Sequence, residues 1–125
     1  MIVMGDEPLT PRQIVELWVD RFNAGDAEGL AQLYREDAVN HQVTQDPVEG
    51  RDAIRAMFQR EFAQAEMVCR IEAIHEAGEV AALEWSDPLG LRGCGFFTVR
   101  DGSIVFRRGY WDKLSFLRQH GLPID

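Results

Sequence analysis

The chain reads as an α+β domain with its helices first and its sheet last. Three observations predict this. Apolar residues recur at helical spacing through the first half, strand-like runs separated by turn signals take over after residue 66, and the tightest turn signal, Asp101-Gly102, lies between two runs rich in Val, Ile, Phe and Tyr. Three helices followed by a meander of four strands predict helices packed on one face of a curved antiparallel sheet.

Thr10-Pro11 opens the first helix, with proline at its first position and Ile14, Val15, Leu17, Trp18, Val19 and Phe22 as its apolar stripe. Asn23-Ala24-Gly25 ends it. Asp26 caps a second helix, AEGLAQLYRED, in which Leu30, Leu33 and Tyr34 recur at helical spacing. Residues 38–43 form a short strand, and TQDPVEG is a turn-rich loop. The third helix runs from Arg51 to Ala65 on Ile54, Met57, Phe58 and Phe62. Strands follow over 67–76 and 79–87, joined through Ala77-Gly78, and Asp87-Pro88-Leu89-Gly90 turns the chain into the last hairpin. KLSFLRQHG closes the chain as a short helix stopped by Gly121.

Composition limits function. The 125 residues, 46% of them hydrophobic, suffice for one domain spanning 1–125 with a core around a small cavity. Thirteen basic and twenty-one acidic residues give a formal charge of −8, which disfavours nucleic acid and anionic membrane surfaces. Cys69 and Cys94 have no C-x-x-C partner and read as reduced thiols, and His41, His75 and His120 are too scattered for a metal site. The N-terminus lacks a basic segment and a long apolar run, so a cytoplasmic protein without a membrane span is expected.

The last hairpin carries the candidate site. With Asp101-Gly102 as a two-residue loop, Phe97 faces Phe106, Gly95 faces Arg108, Gly93 faces Tyr110 and Leu91 faces Asp112, all on one side. Large polar residues then stand opposite glycines, which describes a pocket with an apolar floor. A single bulge would exchange the two faces. The competing reading makes the glycines a bend and Arg108 a solvated strand charge. Asp112 follows aromatic residues that would desolvate a carboxylate and raise its pKa; it is equally placed to cap the final helix.

The runs W-x-x-x-F-N-A-G-D (Trp18 to Asp26), L-x-x-L-Y-x-x-D-A-V (Leu30 to Val39), E-G-R-D-A-I (Glu49 to Ile54) and R-D-G-S-I to Y-W-D resemble the nuclear transport factor 2-like superfamily, most of all its SnoaL-like, polyketide cyclase-like branch. The resemblance spans nearly the whole chain. It implies a cone-shaped, cystatin-like roll, usually dimeric, with a pocket inside the cone, and it leaves the reaction open because this fold hosts several. The ketosteroid isomerase pattern is missing, since Trp18, Gln42 and Gly95 stand where that enzyme has a tyrosine and two aspartates. The resemblance to limonene epoxide hydrolases matches their carboxylates to Asp87 and Asp112, but Trp85 stands at the position of their arginine, two residues before the first aspartate, and Asn40 and Gln42 replace their helpers. Arg70, placed opposite Trp85, or Arg108 would have to substitute.

The resemblance and the residues together predict a cofactor-independent, metal-free isomerase, cyclase or hydrolase acting on a small apolar molecule. Asp112 is the expected acid/base, with Asp87 and His41 as further catalytic candidates. Trp18, Asn40, Gln42, Phe58, Arg70, Trp85, Phe97, Arg108 and Tyr110 are the expected substrate contacts. The alternative is a non-catalytic ligand-binding or dimerisation module. A homodimer is expected because Phe96, Thr98, Val105 and Trp111 would otherwise leave an apolar outer sheet face in solvent.

Overall fold

The computed structural model describes residues 3–4 and 7–124. A two-stranded ribbon of β1 (Val3–Met4) and β2 (Glu7–Pro8) leads into α1 (Pro11–Asn23), α2 (Ala27–Ala31), β3 (Tyr34–Gln42), β4 (Val48–Glu49) and α3 (Arg51–Gln64). Then come β5 (Arg70–Ala77), β6 (Val80–Ser86), β7 (Arg92–Arg100), β8 (Ser103–Trp111) and α4 (Lys113–Gln119). The main sheet has six strands in the order β4-β3-β8-β7-β6-β5. It is mixed rather than wholly antiparallel, because β3 runs parallel to β8.

The residues that look like family motifs have structural work. Thr10 and Gln13 close a reciprocal capping box around Pro11, with the Thr10 side chain accepting from Gln13 N at 3.2 Å. At the other end of α1, the Asn23 side chain donates to Cys69 O at 2.9 Å and accepts from Cys69 N at 2.7 Å, which pins the helix to the approach of β5. Gly25 takes a left-handed conformation, φ 66°, and Asp26 accepts from Gly29 N to start α2. In the second motif Gly50, φ 93°, donates to Ala38 O, and Arg51 Nε donates to Tyr34 O at 2.9 Å, which seats α3 on β3.

Two expected boundaries move. The second helix stops at Ala31, and Tyr34, expected on its apolar face, is the first residue of β3. Leu33 O accepts from Ile104 N at 2.8 Å, so pairing with β8 overrides the short helical pattern there. The β5–β6 loop is Gly78-Glu79, with Ala77 paired to Val80, and a register shift between Ile71 and Ala73 then leaves Arg70 opposite Ser86 and not opposite Trp85.

The decisive departure lies in the β7–β8 hairpin. Asp101 and Gly102 form the turn as expected, both with positive φ, and Val99 pairs with Ile104. The next pair is Thr98 with Phe106, so Val105 is an extra residue on β8. From there Phe97 pairs with Arg107, Phe96 with Arg108, Gly95 with Gly109, Cys94 with Tyr110 and Gly93 with Trp111. The bulge turns Arg107 and Trp111 inward and sends Arg108 and Tyr110 outward.

The core between α1, α3 and the concave sheet face is continuous from Ile14, Val15 and Trp18 through Leu30, Ile54 and Phe58 to Leu83, Phe97 and Ile104. Trp18 is its aromatic hub, stacked on Phe22 at 5.0 Å and edge-on to Phe97 at 5.4 Å. Among the described residues no helix is long and apolar enough to cross a membrane.

Candidate functional site

A cavity of about 410 Å³ opens between the helices and the concave sheet face. Trp18 and Phe22 from α1, Phe58 from α3, and Trp85 and Trp111 from the sheet supply aromatic walls. Its mouth is bounded by the segment 66–69, the turn after β6, Phe116 of α4 and His120 just beyond it. Gln119 Nε2 donates to Leu89 O at 3.1 Å, and Phe116 packs against both Trp111 and His120, so α4 is fastened across one side of the opening.

Two hydrogen-bonded chains run into the cavity. In the first, Trp18 Nε1 donates to Tyr34 Oη at 3.1 Å and Tyr34 Oη donates to Asn40 Oδ1 at 2.8 Å. Arg107 Nη1 donates to the same Asn40 oxygen at 3.3 Å. The Arg107 guanidinium lies 4.6 Å from the centre of the Trp18 ring and 5.3 Å from that of Phe97, which offer their π faces to the cation. The glycines make room for it: a Cβ at Gly109 would sit 3.3 Å from Arg107 Nη2, and one at Gly95 3.8 Å away. The expected pairing of Arg108 with Gly95 is not formed; Arg107 pairs with Phe97 instead, and its guanidinium reaches into the space left by Gly95 and Gly109.

In the second chain Trp111 Nε1 donates to Gln42 Oε1 at 3.0 Å and Gln42 Nε2 donates to Glu61 Oε1 at 3.3 Å. Both chains end in buried atoms without a partner among the described residues, Arg107 Nε and Glu61 Oε2. Burial raises the Glu61 carboxyl pKa above its ordinary range, against the opposing pull of the Gln42 hydrogen bond, Arg107 and Arg60. Burial likewise pushes the Tyr34 phenol up to about 12 and the Cys69 thiol up to about 11. Tyr34 and Cys69 are thus neutral at ordinary pH.

The expected site residues divide accordingly. Trp18, Gln42, Phe58, Trp85 and Asp87 line the cavity. Phe97 and Asn40 are fully buried one layer behind it, supporting Arg107. Arg108 and Tyr110 are exposed on the opposite sheet face, where Arg108 lies over Phe106 and Tyr110 over Phe96. His41 alternates with buried Asn40 and Gln42 and pairs with Arg108 on that same outer side. Arg70 is exposed.

Asp112 is exposed and caps α4, its carboxylate accepting from Leu114 N at 3.0 Å and from Ser115 Oγ at 2.6 Å. The Ser115 hydrogen bond holds its pKa below the usual range, opposite to what an acid/base at neutral pH needs. Asp87 borders the cavity, but its Oδ1 accepts from Leu89 N and Leu91 N, the work of a turn residue. Trp111, expected on the outer face, lies inside.

Sequence reasoning passed over Glu61 and Arg107. Glu61 was legible, because it stands four residues after Met57 and three after Phe58, a carboxylate within the apolar stripe of α3. Arg107 was not, because its inward direction depends on the bulge at Val105. Among the described residues no group of three or more His, Cys, Asp or Glu could hold a metal ion.

Comparison with known proteins agrees with this architecture. A protein of Catenulispora acidiphila with a ketosteroid isomerase-like fold, solved with trimethylamine, superposes with a TM-score of 0.81 at 21% identity, over 92% of this chain and 96% of that one. IdmH of Streptomyces antibioticus, provisionally assigned as a polyketide cyclase, gives a TM-score of 0.77 at 24% identity over 91% and 100% of the two chains. A Mycobacterium tuberculosis epoxide hydrolase of the limonene epoxide hydrolase-like type gives 0.73 at 22% identity over 85% of each. No curated protein matches the chain. The SnoaL-like domain family matches residues 15–107, a stretch that runs from α1 to Arg107 itself, and the chain therefore belongs to the SnoaL-like family.

Proposed function

We propose that this SnoaL-like protein is a cofactor-independent proton-transfer enzyme of the isomerase or cyclase type, acting on a small, largely apolar carbonyl compound. The observation that carries the reading is that Glu61 and Arg107 line one aromatic cavity, each with a buried polar atom, Oε2 and Nε, that has no partner among the described residues. Glu61, in its ionised form, takes a proton from the carbon next to the carbonyl. The electron pair moves into the carbonyl, and the resulting oxyanion is stabilised by the Arg107 guanidinium. Glu61 then returns the proton to a different atom. A pKa raised by burial suits Glu61 to both steps, and Tyr34, Asn40 and the Trp18 face hold Arg107 in place. The likeness to folds assigned as cyclases and epoxide hydrolases supports this class without selecting a substrate.

The test is turnover of cyclic ketones and β-dicarbonyl compounds, followed by proton exchange into deuterated water. Glu61→Gln should lower exchange by a factor on the order of a hundred or more with binding kept. Asp112→Asn should leave it within about twofold, since Asp112 lies outside the cavity. The reverse pattern would return the role to Asp112. Exchange indistinguishable from buffer, with ligands still bound, would make the chain a binding module.

We also infer a homodimer through the outer sheet face. Phe96 is 43% and Tyr110 40% exposed there, and the two rings pack edge to face at 6.0 Å. Light scattering at micromolar concentration checks this, and Phe96→Glu should yield a monomer.

A further inference from the structure

We propose that the cavity takes a small monoanionic ligand, one carboxylate or equivalent oxyanion on an apolar body, held between Arg107 and a protonated Glu61, so that each ligand enters with one proton. The inference shares with the proton-transfer reading only the placement of these two residues at one cavity, and it stands whether or not chemistry follows.

Arg107 is 7% exposed and carries a permanent charge. Its contacts are a neutral amide oxygen and two aromatic faces. Among the described residues no carboxylate lies within ion-pairing distance of it. A buried cation without a counter-ion is costly, and a ligand anion is the natural way to offset that cost. Glu61 cannot serve fully, since it forms no ion pair with Arg107 and its own charge is disfavoured by burial.

A protonated Glu61 has an O–H to donate, and the Arg107 guanidinium, which lines the same cavity, has N–H groups beyond the Nη1 given to Asn40. A carboxylate can accept both at once. The same arrangement matches the state reached after Glu61 has removed a proton from a ketone, an oxyanion beside a neutral carboxyl. The other titratable groups around Glu61 carry both signs. Arg60 stands next to it on α3, Glu66 and Asp87 lie at the mouth, His120 approaches from α4, and Cys69 is held neutral by burial. With a formal charge of −8 on the chain, a dianion meets more repulsion than a monoanion does.

The chain's three tryptophans, Trp18, Trp85 and Trp111, all line the cavity, so intrinsic fluorescence reports occupancy directly. Cyclohexanecarboxylate, its neutral carboxamide and cyclohexylamine are titrated into the protein between about pH 5.5 and about pH 8.5, above the carboxylate probe's own pKa. The carboxylate should bind tightest of the three. Its affinity should fall by about tenfold per pH unit above the Glu61 pKa, as uptake of one proton requires. Glu61→Gln should keep binding and abolish the slope, while Arg107→Met should lose carboxylate binding at every pH. A carboxamide that binds as well as the carboxylate, a tighter amine, no binding by any of the three, or a slope that survives in Glu61→Gln overturns the proposal. The Glu61→Gln slope decides the matter even if Arg107→Met fails to fold.

Discussion

Glu61 and Asp112 are carboxylates of similar intrinsic acidity placed in opposite surroundings. Asp112 sits at a helix start in solvent, where Leu114 N and Ser115 Oγ supply donors to its ionised form and its pKa falls. Glu61 sits on the apolar face of α3 with one oxygen held by Gln42 and the other without a partner, and its pKa rises. The lesson is that aromatic neighbours in sequence do not desolvate a carboxylate. Trp111 precedes Asp112 directly, yet Trp111 turns into the cavity while Asp112 turns out to begin a helix.

The same contrast separates the cavity floor from the rim, and substitutions sharpen it. The largest effect is expected at Gly93, where an added Cβ would lie 2.6 Å from the backbone oxygen of Tyr110 and collide with the Trp85 ring. Gly93→Ala should cost about 2 kcal/mol in urea unfolding, as overpacking against backbone does. An unchanged midpoint would mean that the floor is looser than these contacts imply.

Tyr34→Phe comes next. It removes the hydroxyl between Trp18 Nε1 and Asn40 Oδ1, and the orphaned indole N–H should cost about 1–2 kcal/mol. If Arg107 depends on this chain, the variant also weakens carboxylate binding, which a purely local loss would not do.

The pH dependence then separates the two carboxylates by sign. Glu61 has a raised folded pKa, so the native state favours its protonated form. Its contribution is fully present below the unfolded pKa and is lost as pH rises through the folded one. Glu61→Gln should therefore melt above the parent protein at alkaline pH, with the gap closing towards pH values below the ordinary carboxylate range. Asp112 has a lowered pKa, so its contribution is present above the unfolded pKa and is lost as pH falls through the folded one. Thermal melts of the two variants across pH should diverge in opposite directions, and parallel curves would erase the distinction drawn between them.

The smallest effect is expected from Asp112→Ala, which removes an exposed cap from a helix of seven residues with no buried side chain. A slight fall in melting temperature with proton exchange unchanged is the expected outcome.

Much of this was legible in local chemistry. Thr10-Pro11, Asn23-Ala24-Gly25-Asp26, Asp101-Gly102 and Gly121 announce their caps and turns because each needs only its near neighbours. Gly121 ends α4 with Gly121 N donating to Arg118 O and Leu122 N to Leu117 O, a closure written within six residues. The aromatic lining from Trp18, Phe58 and Trp85 was legible for the same reason, since helical spacing and strand alternation are local periodicities.

Tertiary structure decided which polar groups meet. The bulge at Val105 lies where β8 is also paired on its other edge with β3, and where β3 itself breaks register between Tyr34 and Val39. A strand pinned on both sides takes its register from partners some seventy residues apart in sequence, and one extra residue exchanges every side chain beyond it. That exchange put Arg107 under Trp18 and sent Arg108 to the outer face. By itself the sequence determined the family, the helices α1, α3 and α4, the strands of the last meander and an aromatic lining, because these rest on local periodicity and capping. The arginine at its floor came from strand register, a property of the folded sheet that no single segment encodes.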